Sequence, residues 1–112
     1  MTKISVEDLK KKLASVPKPL LIDLRDKKSF DSGAIEWSIN VPLSEVQKAF
    51  LSTNLVFQSN YNVGKPEKPT ENLILYCSDG KDSENALEII KEIGYVNAKI
   101  LDGGYAKWDE SK

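Results

Sequence analysis

The sequence contains a single cysteine, Cys77, and no histidine. Cys77 follows the apolar run 73–76 and precedes a short polar segment that contains Gly80, after which an amphipathic pattern begins. A buried strand, a cysteine, a glycine-containing turn and a helix are together typical of a loop that binds an anion or presents a nucleophile. Because no imidazole is available to deprotonate the thiol, we expect the amides of the loop to stabilise the thiolate.

The alternative interpretation of Cys77 is that it is a small core residue, because free cysteines are often buried and inert. The sequence around Cys77 favours a functional role, since the residue lies between a strand and a helix start. One cysteine cannot form an internal disulfide or a cysteine-cluster metal site, and the lack of histidine disfavours zinc. We therefore predict a free thiol, no metal and no cofactor.

Hydrophobic periodicity and turn residues divide the chain into alternating strands and helices. Ser5 is expected to cap the first helix and Thr53 another, while Gly33 and Gly94 are expected to end two helices. The predicted strands are 20–24, 38–41, 73–76 and 98–101, and the predicted helices are 6–16, 27–32, 44–51, 54–61, 84–93 and a last segment after Gly104.

This alternation predicts an α/β fold in which a parallel sheet carries helices on both faces. The length of 112 residues suits one domain, spanning 1–112. Ligands of open parallel sheets bind beyond the carboxyl ends of the strands. Cys77 would lie at that end of its strand, directly before a helix, where several backbone amides can point at a bound anion.

Composition excludes several classes of partner. The formal net charge of −1 provides no basic footprint for nucleic acid or for an acidic membrane surface. The apolar runs are too short to cross a bilayer, and the first residues lack an apolar signal core and carry acidic side chains. We therefore predict no nucleic-acid partner, no membrane association and a cytoplasmic location, with removal of a presequence left open.

Two groups of residues resemble the signatures of the rhodanese-like domains, in the same order and over nearly the whole chain. A third stretch before the core strand is similar to the small single-domain thiosulfate sulfurtransferases. The first signature is Leu21-Ile22-Asp23-Leu24-Arg25 with Phe30, Gly33, Ile35 and Ile39-Asn40-Val41-Pro42; the second is 76–83 with Gly94-Tyr95, Asn97, Leu101-Asp102-Gly103-Gly104 and Trp108; the third is Phe57, Tyr61 and Lys65-Pro66.

The resemblance implies a parallel sheet of about five strands flanked by helices, and it implies sulfane-sulfur transfer. The thiolate would take sulfur from thiosulfate or another persulfide donor, become a persulfide, and pass the sulfur to glutathione, a thioredoxin-like thiol or cyanide. Covalent catalysis of this kind needs no strong general base once the thiolate exists.

Site residues follow from the same resemblance. Cys77 corresponds to the persulfide-forming cysteine, and Ser78, Asp79, Gly80, Lys81 and Asp82 correspond to the loop whose amides hold the outer sulfur. Ser83 corresponds to the small residue at the helix start, able to donate a hydroxyl. Asp23 and Arg25 correspond to a pair that mainly organises structure near the site, and Arg25 is the only arginine. Lys81 is either an attractor for an anionic donor or a solvated side chain.

The chain departs from the family pattern at two positions. Asp82 stands where active members often carry arginine or another cation, and Ala34 stands where a histidine is usual. A carboxylate near the thiolate opposes an anionic donor, unless Asp82 faces water or stabilises the helix start.

The sequence therefore predicts a thiosulfate sulfurtransferase, and the alternatives are a protein persulfide carrier and a catalytically weak binding or regulatory module. An exposed, readily ionised Cys77 would support the first two, and a buried, inert Cys77 would support the module. A phosphatase or arsenate reductase of this fold is excluded because Ser83 occupies the position where such a loop needs arginine.

Overall fold

Five parallel strands form one sheet in the computed structural model, which describes residues 2–112. Short apolar runs of leucine and isoleucine supply the central strands, as expected for a sheet covered on both faces. The strands are β1 (Lys3–Ile4), β2 (Leu20–Asp23), β3 (Ile39–Asn40), β4 (Leu73–Tyr76) and β5 (Lys99–Leu101), in the spatial order β1-β5-β4-β2-β3.

Helices cover both faces of this sheet. They are α1 (Val6–Leu13), α2 (Lys27–Ser32), α3 (Val46–Leu51) preceded by a 3-10 turn (Leu43–Glu45), α4 (Asn54–Tyr61), α5 (Lys81–Ile93) and α6 (Gly104–Glu110). Side chains on β4 alternate between two apolar clusters, with Leu75 and Cys77 facing α3, α4 and α5, and Tyr76 facing α1 and α6. The predicted α/β fold, a parallel sheet of about five strands with helices on both faces, is thereby confirmed.

Several boundaries differ from the sequence-based prediction. Strand β1 was not predicted, because two residues are too few to show a periodic pattern. Helix α1 ends at Leu13 rather than near Val16, whose position before Pro17 disfavours the helical conformation. Helix α5 begins at Lys81 rather than at Glu84, which matters for the site.

No helix within residues 2–112 has both the length and the apolar character needed to cross a membrane.

Candidate functional site

Cys77 lies at the carboxyl end of the central strand β4, in the short connection to α5. Its Sγ atom accepts hydrogen bonds from two backbone amides, that of Gly80 at 3.1 Å and that of Ser83 at 3.3 Å. Both donors belong to the turn that opens α5, where the free N–H groups and the helix dipole favour negative charge. The loop therefore surrounds the sulfur with donors suited to an anionic sulfur atom.

The turn between Cys77 and α5 is held by its own hydrogen bonds. Gly80 is the residue before α5 and has φ of 104°, a left-handed conformation that a side chain would strain. The Ser83 hydroxyl donates to the Gly80 carbonyl at 2.9 Å, and the Lys81 amide donates to Asp79 Oδ1 at 3.1 Å. Because these two hydrogen bonds fix the turn, the amides of Gly80 and Ser83 stay directed at Sγ.

Lys81 and Asp82, which were assigned to the loop from the sequence, form the first turn of α5 together with Ser83. The prediction of a helix over 84–93 was wrong at its start, because the amides that line the sulfur belong to the helix terminus itself. Ser83 is fully buried, whereas Lys81 and Asp82 are exposed to solvent. Asp82 therefore faces water in the first helical turn, where a carboxylate complements the helix dipole.

Helix α6 packs its amino end directly against the cysteine loop. The amide of Tyr105 donates to the Cys77 carbonyl at 2.7 Å, and that of Ala106 donates to the Ser78 carbonyl at 3.0 Å. Gly104 permits this approach, since a Cβ atom there would lie 2.5 Å from the Cys77 carbonyl oxygen. From the sequence, the two glycines at 103–104 were identified only as part of the second signature and as the start of the last helical segment; their position before that helix was the available signal for the contact.

The comparison with known proteins agrees with this geometry. Residues 5–111 match the sequence profile of the rhodanese-like domain. The chain belongs to the rhodanese-like domain family. It is 30% identical over 109 residues to the Homo sapiens protein named thiosulfate:glutathione sulfurtransferase, an alignment that covers 97% of this chain and 94% of that protein.

Two further similarities agree with that family. A Schizosaccharomyces pombe protein named putative thiosulfate sulfurtransferase, mitochondrial, is 30% identical over 105 residues, covering 94% of this chain and 73% of the relative. The solved structure of the human single-domain sulfurtransferase TSTD1 superposes with a TM-score of 0.94 at 29% identity, covering 100% of this chain and 98% of that one.

The Asp23–Arg25 pair of this rhodanese-like domain is largely buried next to the loop. Arg25 Nη2 donates to Asp23 Oδ2 at 2.8 Å and to the Gly33 carbonyl at 2.6 Å. The guanidinium carbon also lies 4.1 Å from the centre of the Tyr105 ring. The hydrogen bond to Asp23 raises the pKa of Arg25 above its ordinary value. These contacts engage the guanidinium within the protein and connect β2 to the start of α6.

A small cleft of about 130 Å³ adjoins the other side of the cysteine loop. Its walls carry both signs of charge, with Lys3 and Lys81 opposite Asp79, Glu84 and Asp102. Lys3 Nζ lies 3.6 Å from Glu84 Oε1. Cys77 itself is only 2% exposed and does not line this cleft.

Proposed function

We propose that this rhodanese-like protein is a sulfurtransferase that carries sulfane sulfur as a persulfide on Cys77. The observation that supports this proposal most directly is the pair of amide donors at Sγ, from Gly80 and Ser83. A thiol with only a packing role has no need of two amides directed at its sulfur. The chain has no histidine, so in this proposal the thiol proton passes to solvent and the two amides stabilise the thiolate that remains.

The proposed reaction has two steps. The Cys77 thiolate attacks the outer sulfur of thiosulfate; a new S–S bond forms, the S–S bond of thiosulfate breaks, and sulfite leaves with the bonding electron pair. The thiolate of an acceptor then attacks the outer sulfur of the Cys77 persulfide, forming the acceptor persulfide and releasing the Cys77 thiolate. With cyanide as the acceptor, the product is thiocyanate.

The residues of the loop have separate roles in this scheme. The amides of Gly80 and Ser83 stabilise the negative sulfur that exists before loading and after release. The Ser83 hydroxyl and the Asp79 carboxylate keep the turn in shape. Asp23 and Arg25 act indirectly, by fixing the Tyr105 ring beside the start of α6.

The proposed donor is thiosulfate or another persulfide, and the proposed acceptor is a small thiol such as glutathione or a thioredoxin-like protein. Support comes from the relatives, of which the human one is named thiosulfate:glutathione sulfurtransferase. The proposed reaction requires no metal and no cofactor. The cytoplasmic location expected from the sequence stays a prediction, since one relative is named mitochondrial.

Burial of the thiol favours a second candidate, the binding or regulatory module. At 2% exposure, Cys77 offers almost no surface to a donor in this conformation. The burial of Cys77 is also compatible with a persulfide carrier, since a carrier would load from a partner protein rather than from a small anion. The three candidates differ in which sulfur donors can load Cys77.

Intact-protein mass spectrometry separates them. The protein is incubated with thiosulfate and its mass is measured before and after cyanide, with Cys77→Ser as the matched variant. We expect the wild type to gain one sulfur, cyanide to remove it, and Cys77→Ser to gain none while its circular dichroism spectrum is unchanged, because only the thiol is altered.

Each alternative has its own outcome in this experiment. Loading from polysulfide but not from thiosulfate would replace the thiosulfate sulfurtransferase with a carrier. No loading from any donor would leave the binding module, and sulfur gained by Cys77→Ser would refute the persulfide mechanism.

A further inference from the structure

A second cleft lies on the edge of the sheet next to β1, away from the amides that hold Sγ. It has a volume of about 370 Å³ and lies where α1 passes the strands β1 and β5. We call it the lysine cleft; its lining residues are Lys3, Ile4, Asp8, Lys11, Lys12 and Lys99.

Charge is concentrated in the lysine cleft. Four lysines and one carboxylate line it, whereas the whole chain carries a formal net charge of −1. Lys3 reaches Glu84 at 3.6 Å and Lys12 donates to Asn72 Oδ1 at 3.3 Å. Within residues 2–112, neither Lys11 nor Lys99 takes part in an ion pair. Like charges at this density repel one another, so an anionic partner would be stabilised here.

The lysine cleft and the smaller cleft beside the cysteine loop share one lining residue. Lys3 lines both this cleft and the smaller one that is bordered by Gly80 and Lys81. Gly80 is also the residue whose amide donates to Cys77 Sγ. A macromolecule large enough to cover the lysine cleft would therefore also cover the smaller cleft beside the cysteine loop.

We propose that the lysine cleft docks an acidic segment of the protein that exchanges sulfur with Cys77. The inference rests on the proposed function, since it assigns the kind of partner that the sulfur site serves. Carboxylates of the partner pair with Lys11 and Lys99, the lysines of the cleft that have no ion pair within the described residues, and another part of the same partner presents its thiol at the cysteine loop.

The type of cation favours a protein segment over a small anion. A compact site for one carboxylate or phosphate uses the planar fork of arginine, but the only arginine, Arg25, is engaged with Asp23. Four separate lysines on β1, α1 and β5 instead present spaced point charges on flexible stems. Such an arrangement suits several carboxylates spaced along a peptide chain. It raises the association rate of an acidic partner more than it fixes one binding geometry.

Binding of a hexaglutamate peptide to the full 112-residue chain tests the proposal. Backbone amide shifts are followed by NMR during titration at low ionic strength, where surface charges are least screened. The test variant is the double substitution Lys11→Glu/Lys99→Glu. The matched control, Lys28→Glu/Lys48→Glu, makes the same change in net charge at exposed lysines outside the cleft.

We expect saturable shifts in α1, β1 and β5 for the wild type and for the control. In the test variant the affinity should fall by about tenfold, since each exposed ion pair contributes modestly and two are replaced by repulsion. No binding to the wild type, or equal loss in both double variants, would refute the docking site and leave the lysines as protection of the sheet edge. Equal affinity for citrate at the same residues would refute the protein segment in favour of a small anion.

Sulfur transfer is measured on the same variants to separate the two proposals. Thiosulfate loading and cyanide release should be unchanged in Lys11→Glu/Lys99→Glu, because neither lysine belongs to the sulfur site. Loss of peptide binding with intact loading supports docking. Absence of loading in the wild type refutes the proposed function whatever the peptide does.

Discussion

Replacing Gly104 with alanine tests whether the contact between α6 and the cysteine loop is as close as the structure shows. Gly104 has φ of 64°, and a Cβ atom there would lie 2.5 Å from the Cys77 carbonyl oxygen and 2.8 Å from the Ser78 carbonyl carbon. Both contacts are with backbone, so no side chain can turn aside. Either α6 or the loop must move.

The expected cost has two parts. A left-handed conformation costs an alanine about 1–2 kcal/mol, and overpacking of a close contact costs about 1–3 kcal/mol. Alanine returns about 0.4–1 kcal/mol by restricting the unfolded chain. The free energy of unfolding should therefore fall by about 3 kcal/mol, a large share of the roughly 5–15 kcal/mol that stabilises a typical domain.

Urea unfolding followed by tryptophan fluorescence measures this loss. The matched control is Gly64→Ala, because a Cβ atom at Gly64 would meet no heavy atom within 4 Å. Its free energy of unfolding should stay within about 0.5 kcal/mol of the wild type. Under folding conditions, sulfur loading of Gly104→Ala should also fall, since Tyr105 and Ala106 hold the carbonyls of Cys77 and Ser78.

Equal stability of Gly104→Ala and Gly64→Ala would refute this reasoning. It would mean that α6 lies farther from the cysteine loop than the hydrogen bond from the Tyr105 amide to the Cys77 carbonyl allows. If Gly104→Ala is less stable but its folded fraction still loads sulfur fully, the close packing of α6 is supported and its role in sulfur loading is refuted.

Two further predictions concern charge. Asp82→Arg should raise kcat/KM for thiosulfate about threefold at low salt. Although Asp82 faces water, the change of two charge units beside the cysteine loop attracts an anionic donor through solvent, and the gain should disappear at high salt. Asp82→Asn is the intermediate control, and no gain at low salt would show that the charge at this position does not act on the donor. Burial raises the pKa of Tyr76 well above its ordinary value of 10.0, so the stability that its neutral form contributes is complete below about pH 10 and is lost as the pH rises further. The free energy of unfolding should then fall by up to about 1.4 kcal/mol per pH unit, the value for one proton. Urea unfolding between neutral and alkaline pH should show a shallower decline of this free energy for Tyr76→Phe than for the wild type. Identical slopes for the two proteins would contradict this.

Local sequence was sufficient where one short-range interaction decides the structure. The prediction that Thr53 caps the helix 54–61 is confirmed, since its hydroxyl accepts the Val56 amide at 3.2 Å. The strand 73–76 was also predicted correctly, because its apolar residues are buried on both faces. The cap joins residues three apart and the strand is a run of adjacent apolar residues, so both patterns are visible in the sequence.

The sequence alone also placed Cys77 between a strand and a helix, and from that position it indicated amide stabilisation of the sulfur. It did not show that α5 already begins at Lys81, or that Asp82 faces solvent. Only the tertiary structure decided these points, because they depend on where α5 begins relative to the end of β4. The contact of Gly104 with the Cys77 carbonyl and the meeting of Lys3, Lys11 and Lys99 likewise join segments far apart in sequence, and no local pattern records such distances.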